Sequence, residues 1–157
     1  MAILEIRKYP DKILRTRCKE VDLVDGEIRR LLDDMAQTMY AVSGLGLAAP
    51  QVGLDMRLAT IDVGEGLIKL VNPEITSKEG TSVLEEGCLS LPNVQVNVKR
   101  AAKVTVTAID TDNKPVMIKA DGLLAHALQQ EIDHLNGKLI IDFLPFYKKL
   151  FIERRTR

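Results

Sequence analysis

The segment Gln130-Glu131-Ile132-Asp133-His134 is one residue away from a pattern that does metal chemistry. With His at position 130 it would read H-E-x-x-H: two imidazoles one helical turn apart, with a carboxylate between them to move protons. Gln130 offers a neutral amide instead, a much poorer ligand than imidazole for Fe(II), Ni(II) or Zn(II). The only two histidines in the sequence, His126 and His134, both fall in this stretch. A second candidate is Glu85-Glu86-Gly87-Cys88-Leu89-Ser90. A thiolate offered from a loop there would suit a first-row transition metal, or would act as a nucleophile with His134 as its base. The third is Gly44-Leu45-Gly46-Leu47-Ala48-Ala49-Pro50-Gln51. Its small residues admit close backbone approach, and the Gln51 amide is able to donate to a developing oxyanion. No Gly-Lys-Ser/Thr follows, so this is not a Walker-type phosphate loop. Each piece alone has a plain structural alternative: a hydrogen-bonded core histidine, a small buried hydrophobe, a tight turn with a glycine hinge.

Elements of regular period must position these residues. Ile28, Leu31, Leu32, Met35, Met39 and Val42 recur on one face after Asp25-Gly26, predicting a helix over about 26–42. Strand-like runs follow at Arg57–Val63, Ile68–Val71, Val94–Val98, Lys103–Ile109 and Pro115–Ala120, with Asp110–Lys114 as a hairpin turn. A second helix covers about 122–136, closed by Asn136-Gly137. Unrolled at about 100° per residue, it groups Leu124, Leu128, Ile132 and Leu135 on a core side and Leu123, Ala127, Gln130 and His134 on another. Glu131 lies between the stripes, His126 at the edge of the second, and Gln129 and Asp133 face away. Leu139–Leu144 reads as a last strand, and Pro145 opens a basic helix ending Arg154-Arg155-Thr156-Arg157.

The bulk properties narrow the classes. Lys plus Arg and Asp plus Glu both total 22 in 157 residues, so the basic excess of a nucleic-acid binder is missing and no DNA partner is expected. A 46% hydrophobic and 28% charged composition is that of a globular chain, here read as one domain over 1–157. Cys18 and Cys88 make no disulfide framework, which favours a reduced, cytoplasmic setting. No stretch approaches the roughly 20 apolar residues of a membrane span.

In this order, the glycine loop ending in Gln51, the Glu-Gly-Cys-Leu-Ser and the Gln-Glu-x-Asp-His helix resemble the three signature motifs of the peptide deformylases. The resemblance runs from Tyr9-Pro10-Asp11 to Leu135-Asn136-Gly137. It implies an α+β fold of antiparallel strands around a central helix that carries the metal-site motif, plus an N-terminal and a C-terminal helix. It implies removal of the formyl group from formyl-methionyl nascent peptides. The metal would be one divalent ion, Fe(II) by resemblance, with nickel, cobalt or zinc as alternatives, held by Cys88, His134 and position 130. Glu131 would move protons, while Gln51 and the Leu89 N–H would face the oxyanion. Gly44, Leu45 and Gly46 would pair with the peptide backbone. Leu45, Leu84, Leu123, His126 and Ala127 would surround the methionine side chain. Gln130 departs from the family pattern, which leaves three expectations: a deformylase with reduced or lost activity, a working Cys-Gln-His site, or a non-catalytic descendant that binds formyl-peptide or the ribosome. His126 as a substitute ligand is a weaker alternative, one turn or about 5.4 Å before position 130. The basic residues Lys148, Lys149, Arg154, Arg155 and Arg157 offer a ribosomal RNA contact. Without the resemblance, the residues would also allow a Cys88/His134 hydrolase or a small peptide-binding module.

Overall fold

The structure, a computed structural model, describes residues 2–155. Helix α1, Gly26–Ala41, begins where Asp25 accepts a side-chain hydrogen bond from the Ile28 N–H at 2.9 Å, a cap of the kind that stabilises a helix start by about 1 kcal/mol. Its Ile28, Leu32, Met35 and Met39 are buried, as their spacing requires. Among the described residues seven antiparallel strands follow: β1 Gly46–Ala48, β2 Leu58–Ile61, β3 Ile68–Glu79, β4 Ser82–Cys88, β5 Leu91–Arg100, β6 Lys103–Ile109 and β7 Pro115–Asp121. Five form one sheet in the order β1-β2-β3-β6-β7, while β4 and β5 pair as a separate hairpin. Helices α2, Gly122–Leu135, and α3, Phe146–Arg155, complete the α+β fold.

The long helix α2 lies on the sheet. Its Ala125, Leu128 and Ile132 pack with Ile61, Leu70, Val104, Val106 and Ala108. The alternation read in 103–109 is the reason β6 can do this: Val104, Val106 and Ala108 are its buried positions. Helix α1 packs on the same sheet near β1 and β2 through Leu47, Leu58 and Val71. Leu91, Val96 and Val98 of the hairpin are covered by Leu14, Leu139, Ile140 and Ile141. At the C-terminal end of α2 the chain turns through Gly137 at φ +76, where a Cβ would run into the Arg15 backbone carbonyl.

Several elements differ from the sequence reading. The expected strand Leu139–Leu144 is a 3-10 turn over Ile140–Phe143. Three successive buried residues, Leu139, Ile140 and Ile141, cannot alternate faces as a half-buried strand would, and the Asp142 carboxylate accepts from the Leu139 N–H to close the turn. The presumed loop 85–88 is the end of β4, and β1 lies inside the glycine-rich segment. Strand β1 has only three residues, and the inward positions of β4, Ser82, Leu84, Glu86 and Cys88, mix polar with apolar, so neither shows an apolar period of two. Strand β3 runs on to Glu79 through register shifts that start after Val71, where Asn72 has φ +52. No helix of the described residues is long and apolar enough to cross a membrane. Of the basic tail, Thr156 and Arg157 lie outside the described residues.

The two ends of the chain are joined at Asp142. Arg15 donates to both its carboxylate oxygens, at 2.6 and 3.1 Å, and Lys149 Nζ lies 2.8 Å away. Burial disfavours the charged carboxylate, but the hydrogen bonds from Arg15, Lys149 and the Leu139 N–H outweigh it and bring Asp142 from 3.8 to about 2. A carboxyl held lower in the folded than in the unfolded state stabilises the fold above its unfolded value and loses that contribution as pH falls through the folded one. Asp142→Asn should therefore lower Tm near neutrality by roughly 2–4 °C. The difference from the natural chain should shrink between pH 4 and pH 2 in a thermal-melt series.

Candidate active site

The three motifs converge because β1, the end of β4 and one face of α2 meet at a single cleft of about 330 Å³. Every residue singled out from the sequence lines it: Gly44, Leu45, Gly46 and Gln51 from the first motif, Leu84, Cys88 and Leu89 from the second, and Leu123, His126, Ala127, Gln130, Glu131 and His134 from α2. Glu85, Glu86 and Gly87 join them. Leu45 and Leu123 are both 47% exposed, so the cleft has an apolar rim open to solvent. At Gly46 the backbone passes so close to α2 that a Cβ would collide with Glu131 Oε2, which explains why that position has no side chain.

Cys88 Sγ lies 3.4 Å from His134 Nε2. Gln51 braces the same sulfur from the other side. Its Nε2 lies 3.6 Å from Cys88 Sγ and 3.3 Å from Ser90 Oγ, and its Oε1 accepts from the Ala48 N–H. Gln130 does not reach the sulfur; its Nε2 donates to the Gly87 carbonyl at 2.9 Å, at the irregularity where the β4–β5 register shifts. Burial governs the ionisation of the group. It pushes the Cys88 thiol up to about 12, against hydrogen bonds from the Ser90 and Leu91 N–H groups. It lowers His134 to about 4, with the Arg100 charge acting the same way. It raises Glu131 to about 8, opposed by Arg100 and reinforced by Glu86 and Asp133. Glu131 Oε1 and His134 Nδ1 are buried without a hydrogen-bond partner among the described residues.

Behind this cleft is a buried charge cluster that the sequence did not announce. Arg100 of β5 donates through Nε and Nη2 to the two Glu86 oxygens, at 2.7 and 2.8 Å, and through Nη1 to Asp133 at 2.8 Å. His126 Nδ1 is 2.8 Å from Glu86 Oε2, and its Nε2 is 3.1 Å from Ser82 Oγ. Both ring nitrogens of His126 are thus held by β4, which rules out its substitution for a ligand at position 130. Two further expectations are corrected. Gln129 does not face away: it is buried and hydrogen-bonds both backbone groups of Ala101. Asp133 also turns inward, to Arg100. The helical wheel misplaced both because the hairpin covers a side of α2 that a single sheet would leave in water.

The polypeptide deformylase family model matches residues 3–149. The chain belongs to this family. The peptide deformylase of Thermodesulfovibrio yellowstonii is 48% identical over 157 aligned residues, covering 96% of this chain and 95% of that one. The crystal structure of a peptide deformylase from Legionella pneumophila superposes with a TM-score of 0.93 at 47% identity, covering 98% of this chain and 92% of that one. The peptide deformylase from Ehrlichia chaffeensis in complex with actinonin gives a TM-score of 0.96 at 38% identity, covering 99% and 96%. The family comprises metal-dependent hydrolases that remove N-terminal formyl groups.

The donor set of this chain fits such a metal only in part. Tetrahedral bonds of about 2.3 Å to sulfur and 2.0 Å to nitrogen put the two donors about 3.5 Å apart, which the Cys88–His134 separation of 3.4 Å matches. Gln130 breaks the set. Its amide nitrogen is taken by Gly87, and a neutral amide oxygen is a weak ligand for these metals. Among the described residues no three His, Cys, Asp or Glu side chains are grouped to hold a metal ion. The site is one strong ligand short.

The raised Glu131 makes a stability prediction. A carboxyl that keeps its proton longer when folded costs stability as pH rises from its unfolded value, 4.5, toward its folded one, about 8. That cost reaches about 3 kcal/mol at pH 7. Glu131→Gln, which mimics the protonated form, should gain Tm over the natural chain increasingly between pH 4.5 and pH 8. A pH-independent difference in thermal melts would contradict this ionisation state.

Proposed function

We propose that this chain accepts the N-formyl-methionyl end of a nascent peptide and hydrolyses the formyl group slowly, its rate lowered by Gln130. The observation that carries this is the Gln130 amide on the Gly87 carbonyl at 2.9 Å, inside a cleft lined by the residues that the resemblance assigns to the site. The peptide backbone adds along Gly44, Leu45 and Gly46, next to the short strand β1, as strand addition requires. Its first side chain enters among Leu45, Leu84, Leu123, His126 and Ala127. With both His126 nitrogens occupied, that residue offers mainly ring carbon to the pocket and keeps it suited to a thioether.

The formyl oxygen faces the Gln51 amide and the Leu89 N–H, donors placed to favour a tetrahedral oxyanion. Water adds to the formyl carbon, the C–N bond breaks, and formate and a free amine leave. Glu131 takes the water proton and returns it to the amine nitrogen. With Glu131 raised to about 8, it is mostly protonated at pH 7, able to give a proton but poorly able to take one. In the family a metal activates the water, with Fe(II) the ion implied by resemblance; Cys88 and His134 are the donors that remain for it here, and Gln130 is the weak third. Hydrolysis is accordingly proposed to be residual.

The alternative is a non-catalytic formyl-peptide or ribosome-binding protein. Its surface would be α3, where Lys148 and Arg154 are exposed beside Phe146 and Tyr147, while Lys149 is engaged by Asp142. Either reading places the chain in the cytoplasm as one domain.

Restoring the imidazole is the deciding experiment. Gln130→His, prepared with Fe(II) and without oxygen, should raise formyl-Met-Ala-Ser turnover by about two orders of magnitude or more, and Glu131→Ala in that background should abolish it. Turnover that stays at the natural level would remove the hydrolase reading in favour of the binding protein.

A further inference from the structure

We infer that the Gln130 amide replaces a metal as the link between α2 and the β4–β5 hairpin, so that the natural chain binds N-formyl-methionyl peptides without a metal ion. This rests on the reading of the cleft as a formyl-peptide site and adds what holds that site together.

A metal bound by Cys88 and two residues of α2 would tie the end of β4 to the helix. In this chain side chains span the same gap. Gln130 Nε2 donates to the carbonyl of Gly87, the residue next to Cys88, at 2.9 Å. His134 Nε2 meets Cys88 Sγ at 3.4 Å. One turn of helix further back, His126 holds Glu86 at 2.8 Å. Arg100 closes the back of the gap by bonding Glu86 and Asp133 together. From the far wall, Gln51 reaches Cys88 and Ser90. Cys88 is therefore contacted from two sides, by His134 and by the Gln51 amide, and the strand end that carries it is fixed to α2 by the Gln130 amide.

The length of Gln130 matters here. Its amide lies at the end of a chain long enough to reach across to a backbone carbonyl, and the carbonyl it meets is at the Gly87/Cys88 register shift. A methionine at 130 would have similar length and no N–H to give. The groups that would bind peptide are separate from this link: the backbone of Gly44–Gly46 and the apolar rim of Leu45 and Leu123. Their contributions, main-chain pairing and apolar burial, need no metal. What they need is a cleft that keeps its width, and the Gln130–Gly87 bond supplies that.

The test is calorimetric titration of the natural chain with formyl-Met-Ala-Ser, before and after chelation with EDTA, together with thermal melts with and without excess Zn(II). The expected result is an affinity unchanged by EDTA to within about twofold and a Tm unmoved by zinc. Gln130→His should differ, its Tm rising with zinc and falling back with EDTA, since a ligand that binds only the folded state raises its stability. Gln130→Met should weaken peptide binding by about three- to tenfold, the loss expected for one hydrogen bond. Peptide binding by the natural chain that vanishes with EDTA, or a zinc-induced rise in its Tm, would overturn the inference while leaving the formyl-peptide reading intact. Equal affinity of Gln130→Met and the natural chain would also overturn it. If Gln130→Met does not fold, the EDTA and zinc measurements on the natural chain still decide. No peptide binding under any condition, with no turnover by Gln130→His, would fail the underlying reading as well.

Discussion

The cleft depends on one buried cation. Arg100 is 7% exposed and holds Glu86 of β4 with two hydrogen bonds and Asp133 of α2 with one. Taking charges out of water is expensive, and only good geometry with every donor answered offsets it. Here the guanidinium matches the Glu86 carboxylate in parallel, and His126 takes up Glu86 Oε2 as well. An apolar replacement of equal volume would fill the space, yet would leave the hairpin free to slide on α2. The charged cluster specifies one orientation, and the spacing of Cys88 from His134 follows from it.

The same cluster sets the electrostatics of the groups in front. Burial keeps the proton on Glu131, and repulsion from buried Glu86 and partly buried Asp133 adds to it, with Arg100 only partly compensating. His134 feels burial and Arg100 in the same direction and stays neutral. The interior around Cys88 therefore holds a thiol, a neutral imidazole and a mostly protonated carboxyl, a low-charge arrangement that persists with a neutral amide at position 130. Gln130 suits this setting: it bonds a backbone carbonyl and leaves no buried charge unpaired.

Much of the site was legible in the sequence because its motifs are local. Glycines at 44 and 46, Cys88 after Gly87, and the i, i+4 spacing of Gln130 and His134 each state a requirement within a few residues. The long helix α1 and strand β6 were legible for the same reason, since a period of 3.6 or 2 is set by neighbours along the chain. The errors arose where distant segments decide. Helical spacing alone turns Gln129 and Asp133 to solvent, but Ala101 and Arg100 come from about 30 positions away to meet them. The apolar run 139–144 suggests a strand, whereas its burial under the hairpin and the Asp142 cap make it a turn. His126 gave no sign that Glu86 and Ser82, about 40 residues earlier, would take both its nitrogens.

The amino-acid sequence by itself determined which groups this protein brings to the cleft, and that position 130, one helical turn before His134, carries an amide. Residue type and short-range spacing are enough for that, because ligand chemistry and helical period do not depend on the rest of the chain. Only the tertiary structure decided what the amide does. Whether Gln130 faces water, Cys88 or a backbone carbonyl depends on where the β4–β5 hairpin rests against α2. That position is set by Arg100, by the packing of Leu91, Val96 and Val98 under the C-terminal turn, and by the shift of register at Gly87. These are contacts between residues far apart in sequence, which folding alone brings within hydrogen-bonding distance.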